Sequence, residues 1–298
     1  VTAASQAAGR SSRRRRGGSI VNRWAWLVAP TILFLAAFFF VPLVLMGLRS
    51  VTDPPGAGLS NYQAFFASAA DVRVLGNTFY ISVVSTVVCL VIGYPYAYLM
   101  NIVPPRVAGV LLIVVLVPFW SSLLVRTFAW EVILRDTGVI NSLLMNWGII
   151  SEPITLMRNT LGVIIGMSQI LLPFMVLPLY TVMRRIDPEL TRAAANLGAP
   201  PAAAFRRVFL PLSLPGVAAG SLLVFVLALG FYITPTILGS PRETMISRFI
   251  ADQVQTRLDW GMGSAMAVIL MVLTLICLAL ASRVVRIRDV YGAIGEES

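Results

Sequence analysis

Six stretches of this chain, near residues 24–48, 75–100, 107–130, 160–183, 212–237 and 262–283, stay apolar for about 20 residues or more at a time. At ~1.5 Å of rise per residue, ~20 residues of helix cover ~30 Å, the depth of a bilayer's hydrocarbon layer. No water is available there, so every backbone N–H and C=O needs a partner within the segment, and a helix supplies it. The expected fold is therefore all-α and integral to the membrane, with six transmembrane helices. Composition agrees, since 58% of the 298 residues are apolar and only 12% are charged, far from the balance of a soluble domain. The lipid bilayer is the first partner this implies.

An even number of spans puts both ends of the chain on one side. Arginine decides which side that is. The stretch before the first run carries six, the 101–106 loop one, the 184–211 loop five and the C-terminal segment three, against eight on the opposite side. Acidic residues split the other way, five against eight. The positive-inside rule then places both termini in the cytoplasm. Residues 1–22, rich in Ala, Ser, Gly and Arg without periodicity, read as a disordered basic cytoplasmic tail; residues 23–288 form the six-span domain and 289–298 a short cytoplasmic C-terminal tail. The run Ser12-Arg13-Arg14-Arg15-Arg16 reads as an anchor for anionic lipid rather than an export signal or a nucleic-acid patch, because the apolar run after it is too long for a signal-peptide core.

Several chemistries are excluded. All 23 basic residues are Arg, and there is neither Lys nor His. A Walker-type phosphate loop and a Schiff-base enzyme both need a Lys, and the usual acid–base and metal sites lack a His to use. No catalytic residue, metal site or cofactor is therefore expected in this chain. Cys89 and Cys277 lie inside apolar runs and behave as small hydrophobes. No Asp, Glu, Lys or His sits in the middle of a span, which disfavours an ion-coupled secondary carrier or channel with its own intramembrane relay. The missing acid–base constellation disfavours a membrane-embedded enzyme.

One polar insert stands out between the fourth and fifth runs. Asp187 suits an N-cap, Pro188 the first helical position and Gly198 the left-handed turn that ends a helix. A helix of about ten residues, ~15 Å long, follows over 188–197. Leu190, Ala193, Ala194 and Leu197 share one face at i, i+3, i+4 and i+7, and three consecutive alanines keep the rod thin enough to enter a cleft. Spacing alone leaves two readings open: a helix laid into a partner's groove, or an amphipathic helix lying at the membrane interface.

Within the spans, Gly162 with Gly166 and Gly216 with Gly220 are small-residue pairs that let helix backbones approach. Pro95, Pro118, Pro173 and Pro178 are expected to interrupt helical turns, which lipid tolerates where neighbours or a cavity satisfy the freed carbonyls. Counting inward places Ser85 and Thr86, then Trp120, Ser121 and Ser122, then Gln169 and Thr274 at mid-depth. Gln169 needs partners for its amide, and an interhelical hydrogen bond meets that need as well as a solute would. Trp120 beside two serines offers a passing cation an aromatic face and acceptors. Ser85, Trp120, Ser121 and Gln169 are the candidate pathway residues. Arg126, near the exterior end of the third run and one turn from Trp130, reads as a cation–π or snorkelling arginine, with an exterior gate as the functional alternative. The loops 131–159 and 239–260 mix acids with Trp147 and Trp260, which fits a docking surface for an exterior protein and equally fits ordinary solvated loops.

The insert also resembles the cytoplasmic signature of the membrane subunits of ATP-binding-cassette importers: Glu-Ala-Ala, three residues, Gly, nine residues, Ile, one residue, Leu-Pro. Ala193-Ala194, Gly198, Val208 and Leu210-Pro211 fall at those spacings, while Arg192 replaces the Glu and Val208 the Ile. The first change reverses a charge, and Glu189, one turn earlier, offers an acid on the same side. The runs Gly93-Tyr94-Pro95, Pro118-Phe119-Trp120 with Val125-Arg126-Thr127, Leu172-Pro173-Phe174 to Tyr180, and Pro211 to Gly216 are similar to the permeases of spermidine/putrescine-type importers over about residues 75–285. The resemblance implies a type I importer permease fold, MetI-like, in a bacterial inner (plasma) membrane, with a coupling helix between spans four and five. Glu189, Leu190, Arg192, Ala193, Ala194, Leu197 and Gly198 would then contact the ATPase. It further implies a second homologous permease, two cytoplasmic ATPase subunits that hold ATP and Mg, and an extracytoplasmic binding protein delivering a small solute, with polyamine as the expected cargo and no nucleic acid involved.

Overall fold

The computed structural model describes residues 20–56 and 58–294, with side chains from 28 to 56 and from 58 to 283. The basic tail expected over 1–22 therefore lies outside the described residues up to Ser19, as do residues 295–298 of the C-terminal segment. The described chain is helical throughout, with no strand. In order the helices are α1 (Ile20–Thr52), α2 (Ser60–Ala67), α3 (Ala69–Ile102), α4 (Pro105–Leu116), α5 (Leu123–Leu134), α6 (Val139–Asn146), α7 (Thr160–Met183), α8 (Pro188–Asn196), α9 (Pro201–Ala204), α10 (Leu210–Leu229), α11 (Ile233–Leu238), α12 (Ile246–Gln255) and α13 (Trp260–Ile294). Short 3₁₀ turns cover Val117–Trp120 and Pro241–Glu243, and a π-helical turn covers Phe205–Phe209.

The chain forms two units. The first ends at Leu48 and is essentially α1, which runs on through Pro30 and Pro42. Its side chains from Val28 onward are mostly exposed and apolar on every side, as a lipid-facing span requires. The second unit begins at Arg49 and is built on α3, α7 and α10. α7 lies innermost: Val163, Met167, Leu171, Met175, Leu179 and Met183 are all shielded. They meet Ile81, Cys89, Ala97 and Met100 of α3 and Val224 and Ala228 of α10. Methionine suits this seam because its unbranched thioether fills the irregular gaps between long helices. A smaller cluster joins Phe65 of α2, Ile246 of α12 and Met266 of α13. Arg49 stacks over the Trp260 ring at 5.0 Å, and the Asn61 amide donates to the carbonyls of Ser50 and Asp53 at 3.0 and 2.8 Å, so that α2 and the start of α13 are fastened to residues 49–53 within this unit.

Close helix approach rests on glycine, as the small-residue pairs predict. A Cβ on Gly220 would come within 2.9 Å of the Met175 sulfur and 3.1 Å of the Met175 carbonyl, and one on Gly216 within 3.3 Å of the Leu179 Cα. Both place α10 directly against the backbone of α7.

Among the described residues, five helices are long and apolar enough to cross a membrane, and a sixth span exists if one bent pair is counted as a span. That pair corrects the expected third span. Instead of one helix over 107–130, Pro105–Trp120 and Leu123–Asn146 meet at a bend of 100°. The Pro118 carbonyl accepts both the Ser121 N–H at 3.1 Å and the Ser121 hydroxyl at 2.8 Å, so it is spent before the next turn can use it. Ser121 and Ser122 are then extended, and α5 starts afresh. The other three prolines do not interrupt anything: α3 continues through Pro95, and α7 through Pro173 and Pro178. The fifth span also differs, since the apolar run reaches 237 but α10 stops at Leu229. Pro235 has no N–H to give the Phe231 carbonyl, and the Ser247 hydroxyl of α12 donates to it instead.

Candidate functional site

The helix read from the polar insert forms where the capping residues place it. The Asp187 carboxylate accepts the Glu189 N–H at 2.9 Å, and Pro188 occupies the first turn, where an N–H would have no partner. At the other end Gly198 takes φ +85°. Its N–H donates to the Ala195 carbonyl at 2.9 Å and the Ala199 N–H to that of Ala194 at 3.0 Å, the paired bonds of a Schellman stop. The rod between these caps buries no residue. Leu190 is 47% exposed and Leu197 89%, Ala193 is exposed, and only Ala194 of that face is half-buried. An apolar face left open on a helix with both ends satisfied is the geometry shared by a docking helix and an interfacial one.

Arg192, the residue that departs from the importer signature, does not stand alone. Its guanidinium reaches the Glu189 carboxylate at 2.6 Å, one turn back on the same rod. Both side chains are about 70% exposed, so the pair adds at most a few tenths of a kcal/mol to the fold after solvent screening. Its effect is on the rod's surface, which presents a closed pair of opposite charges instead of a bare cation. Behind α8 lies a groove of about 560 Å³ bordered by Tyr98, Ile102, Thr191, Ala195 and Phe205.

The candidate pathway residues fall into separate places. Ser85 is fully buried on α3, and its hydroxyl has no partner among the described residues; Ser82 and Ser168 share that condition. Trp120, by contrast, is 79% exposed on the 3₁₀ turn at the bend, and Ser121 beside it is also exposed. The bend is pinned to α7 by Phe119, whose ring meets Phe174 edge-on at 5.2 Å. Gln169 of α7 is half-buried, and its amide oxygen accepts the Trp130 ring N–H at 3.4 Å, so one interhelical bond meets part of its need. Trp130 is thus committed to Gln169. Arg126 is half-buried, its Nε lacks a partner, and no cation–π contact of Arg126 is found among the described residues. The next residue, Thr127, is buried against Thr234 of α11 at 3.4 Å. The structure thus brings Trp120 and Ser121 together on an open surface, links Gln169 to α5 through Trp130, and holds Ser85 apart within the α3–α7 seam.

Sequence reasoning passed over a polar knot at the opposite end from α8. The Glu243 carboxylate accepts the Ser240 N–H at 2.9 Å, the Ser240 hydroxyl, and the Thr160 hydroxyl at 3.2 Å. Burial pushes its pKa upward, but the hydrogen bonds from Ser240 and Thr160 outweigh that and hold the carboxyl below its ordinary range. Asn77 of α3 adds two bonds to the carbonyls of Arg242 and Thr244 at 3.0 and 3.2 Å, and Thr78 accepts the Ile246 N–H at 2.8 Å. The loop 239–246 is so fastened to α3 and to the first residue of α7. Ser240-Pro241 followed by Glu243 is a capping-box pattern visible in sequence, but its bonds to α3 and α7 are not. Of the loop residues suggested for exterior docking, Glu131 pairs with Arg135 at 2.7 Å, Asp252 with Arg257 at 3.4 Å, and Asp259 caps α13 through the Met262 N–H. Trp147 remains 69% exposed.

Residues 89–287 match the sequence profile of the family described as binding-protein-dependent transport system inner membrane component. The chain is similar to the spermidine/putrescine transport system permease protein PotB of Haemophilus influenzae, 35% identical over 263 residues that cover 85% of this chain and 92% of that one. It is 33% identical to the Escherichia coli PotB over 251 residues, 82% and 91% of the two chains. The inner membrane ABC transporter permease protein YdcU of Escherichia coli is 30% identical over 278 residues, covering 86% and 88%. Among solved structures, a chain of a bacterial alginate ABC transporter in complex with its pentasaccharide-bound periplasmic protein shares the fold with a TM-score of 0.71 at 20% identity, over 87% of this chain and 93% of that one. With α8 and the spans from the second half of α3 onward inside the matched segment, this chain belongs to the binding-protein-dependent transport system inner membrane component family and is a multi-pass permease of an ABC transporter.

Proposed function

We propose that this permease imports a polyamine of the spermidine or putrescine kind, delivered by an extracytoplasmic binding protein and driven by a separate ATPase that grips α8. The observation that carries the reading is the bare, doubly capped α8 lying within a family segment whose relatives include PotB permeases at 33–35% identity. The arginine distribution supports a topology with α8 and both termini on the cytoplasmic side, where ATP is available. In this arrangement a second, homologous permease completes the pathway and two ATPase subunits dock beneath the pair. ATP and Mg act in those subunits, and this chain performs no covalent step.

The mechanism is alternating access. ATP closes the ATPase dimer, α8 moves with it as a lever, and α7 and α10, which flank it in sequence, tilt to open the route outward and, after hydrolysis, inward. The chain's part is to make different contacts in the two states. The exposed Trp120 and Ser121 suit an amine cation, the ring through its face and the hydroxyl as an acceptor. Gln169 of α7 and Ser85 of α3 are the further pathway candidates, Ser85 enclosed in the α3–α7 seam in this state, and Arg126 of α5 is the candidate exterior gate.

Reconstitution with the partner subunits and binding protein in proteoliposomes, followed by uptake of labelled spermidine with and without ATP, tests this. Uptake that requires ATP and is competed by putrescine supports the reading. Uptake by this chain alone, insensitive to ATP and abolished by collapsing ion gradients, would establish a secondary carrier instead.

A further inference from the structure

α8 has little grip on the bundle of its own. It buries no residue, its ion pair closes on itself, and it packs chiefly against α9 and the turn Phe205–Phe209. A push on α8 therefore leaves through its two covalent ends and through that turn. One end leads through Ile186 into α7. The other leads through α9 into the turn Phe205–Phe209, and that turn is built unlike the rest of the chain.

Residues 205–209 form a π-helical turn, wider than an α-turn, and such turns recur at functional sites. Within it the Phe205 and Phe209 rings stack at 5.7 Å and 18°. Tyr98 of α3 meets both rings edge-on, at 5.3 and 5.1 Å. Tyr94, one turn away on α3, meets Phe205 at 6.3 Å, and its hydroxyl lies 2.8 Å from that of Ser213 on α10. Ser213 gives its own proton to the Leu210 carbonyl, which leaves Tyr94 as the donor. Edge-to-face rings resist sliding because the positive rim of one sits on the negative face of the other. Two tyrosines on successive turns thus hold α3 to the turn that ends at α10, at two heights.

We propose that Tyr94, Tyr98, Phe205 and Phe209 are positioning residues that carry the movement of α8 to α3, so that α3 is driven together with α10 and not only the spans adjacent to α8 in sequence. This deepens the importer reading and rests on it. α3 packs along both α7 and α10, so displacing its α8-proximal end repacks the whole seam that encloses Ser85.

The test uses the complete complex of both permeases, ATPase and binding protein in proteoliposomes, measuring substrate uptake and binding-protein-stimulated ATP hydrolysis together. Phe205→Leu and Tyr98→Leu each remove the ring contacts from one side while keeping an apolar side chain. The clasp predicts that uptake falls about tenfold while stimulated hydrolysis stays within about twofold of wild type, so that more ATP is spent per solute. Tyr98→Phe, which keeps the ring, is expected to transport like wild type, as is the conservative Phe205→Tyr. If Phe205→Leu does not assemble, Tyr98→Leu carries the same prediction from the other helix. An unchanged ratio of ATP to solute in the Leu variants, whether both activities are retained or both fall in parallel, overturns the clasp and leaves these rings as packing. ATP-independent uptake by the wild-type complex, read first in the same assay, would instead overturn the importer reading beneath it.

Discussion

At Gly198 a single backbone angle ends a helix. With φ at +85° the residue sits where a Cβ crowds the chain, and a side chain there costs about 1–2 kcal/mol, comparable to the whole net stability of a nine-residue rod held by its caps. Gly198→Asp is expected to abolish uptake while leaving membrane insertion intact, and so is Ala194→Arg, which keeps the helix but thickens its docking face. Uptake assays paired with membrane fractionation check both, and full uptake by either variant counts against a docked rod. Glu243 gives a pH prediction. Its carboxyl is held below the ordinary range, so the knot it ties is complete above that range and is lost as the pH falls through the lowered value. Acid should therefore loosen loop 239–246 first, with proteolysis of that loop rising on acidification, and Glu243→Gln should flatten the dependence. Gln169 shows what residue-level reading can reach. Its need for a partner was legible from an amide placed in hydrocarbon, while the identity of that partner, Trp130 at 3.4 Å, belongs to the packing of α5 on α7. Gln169→Leu should lower the unfolding temperature in detergent modestly, by the ~1 kcal/mol of one hydrogen bond.

At the scale of elements, the seam between α7 and α10 is governed by how closely two backbones approach. Nothing flexible faces Gly220 except the end of Met175, and behind it stands the Met175 carbonyl. Gly220→Leu should force α10 away from α7 and cost about 1–3 kcal/mol or more, readable as a lowered thermal midpoint of the purified permease and loss of transport. The glycine spacing announced this contact in sequence. Proline did not announce its own effect so clearly. Four prolines looked alike, yet only Pro118 coincides with a break, where Ser121 captures its carbonyl twice, whereas α3 and α7 run straight through theirs. α10 ends at Leu229, and just past that end the Phe231 carbonyl is claimed by Ser247 from sixteen residues further on.

For the whole molecule, the prediction concerns sidedness and assembly. Single cysteines placed at exposed positions on α8 in a Cys89→Ala, Cys277→Ala background should be reached by impermeant thiol reagents only from the cytoplasmic side, and those near Trp147 only from the exterior. The reverse labelling would overturn the orientation read from arginine. A thin rod with no buried residue and a bend presenting Trp120 outward fit the proposed importer, in which other subunits complete the pathway and the engine. By itself the sequence determined the six apolar runs, the imbalance of charge across them, the capped rod and its open face. Each of those follows from how one residue or one short segment partitions between water, lipid and its own backbone. Only the tertiary structure decided which proline breaks a helix, where α10 stops, that Ser85 is enclosed while Trp120 is open, and that two tyrosines of α3 grip a π-turn. Those outcomes depend on pairs of groups far apart in the chain competing for the same carbonyl or filling the same gap, and no local pattern of residues encodes that competition.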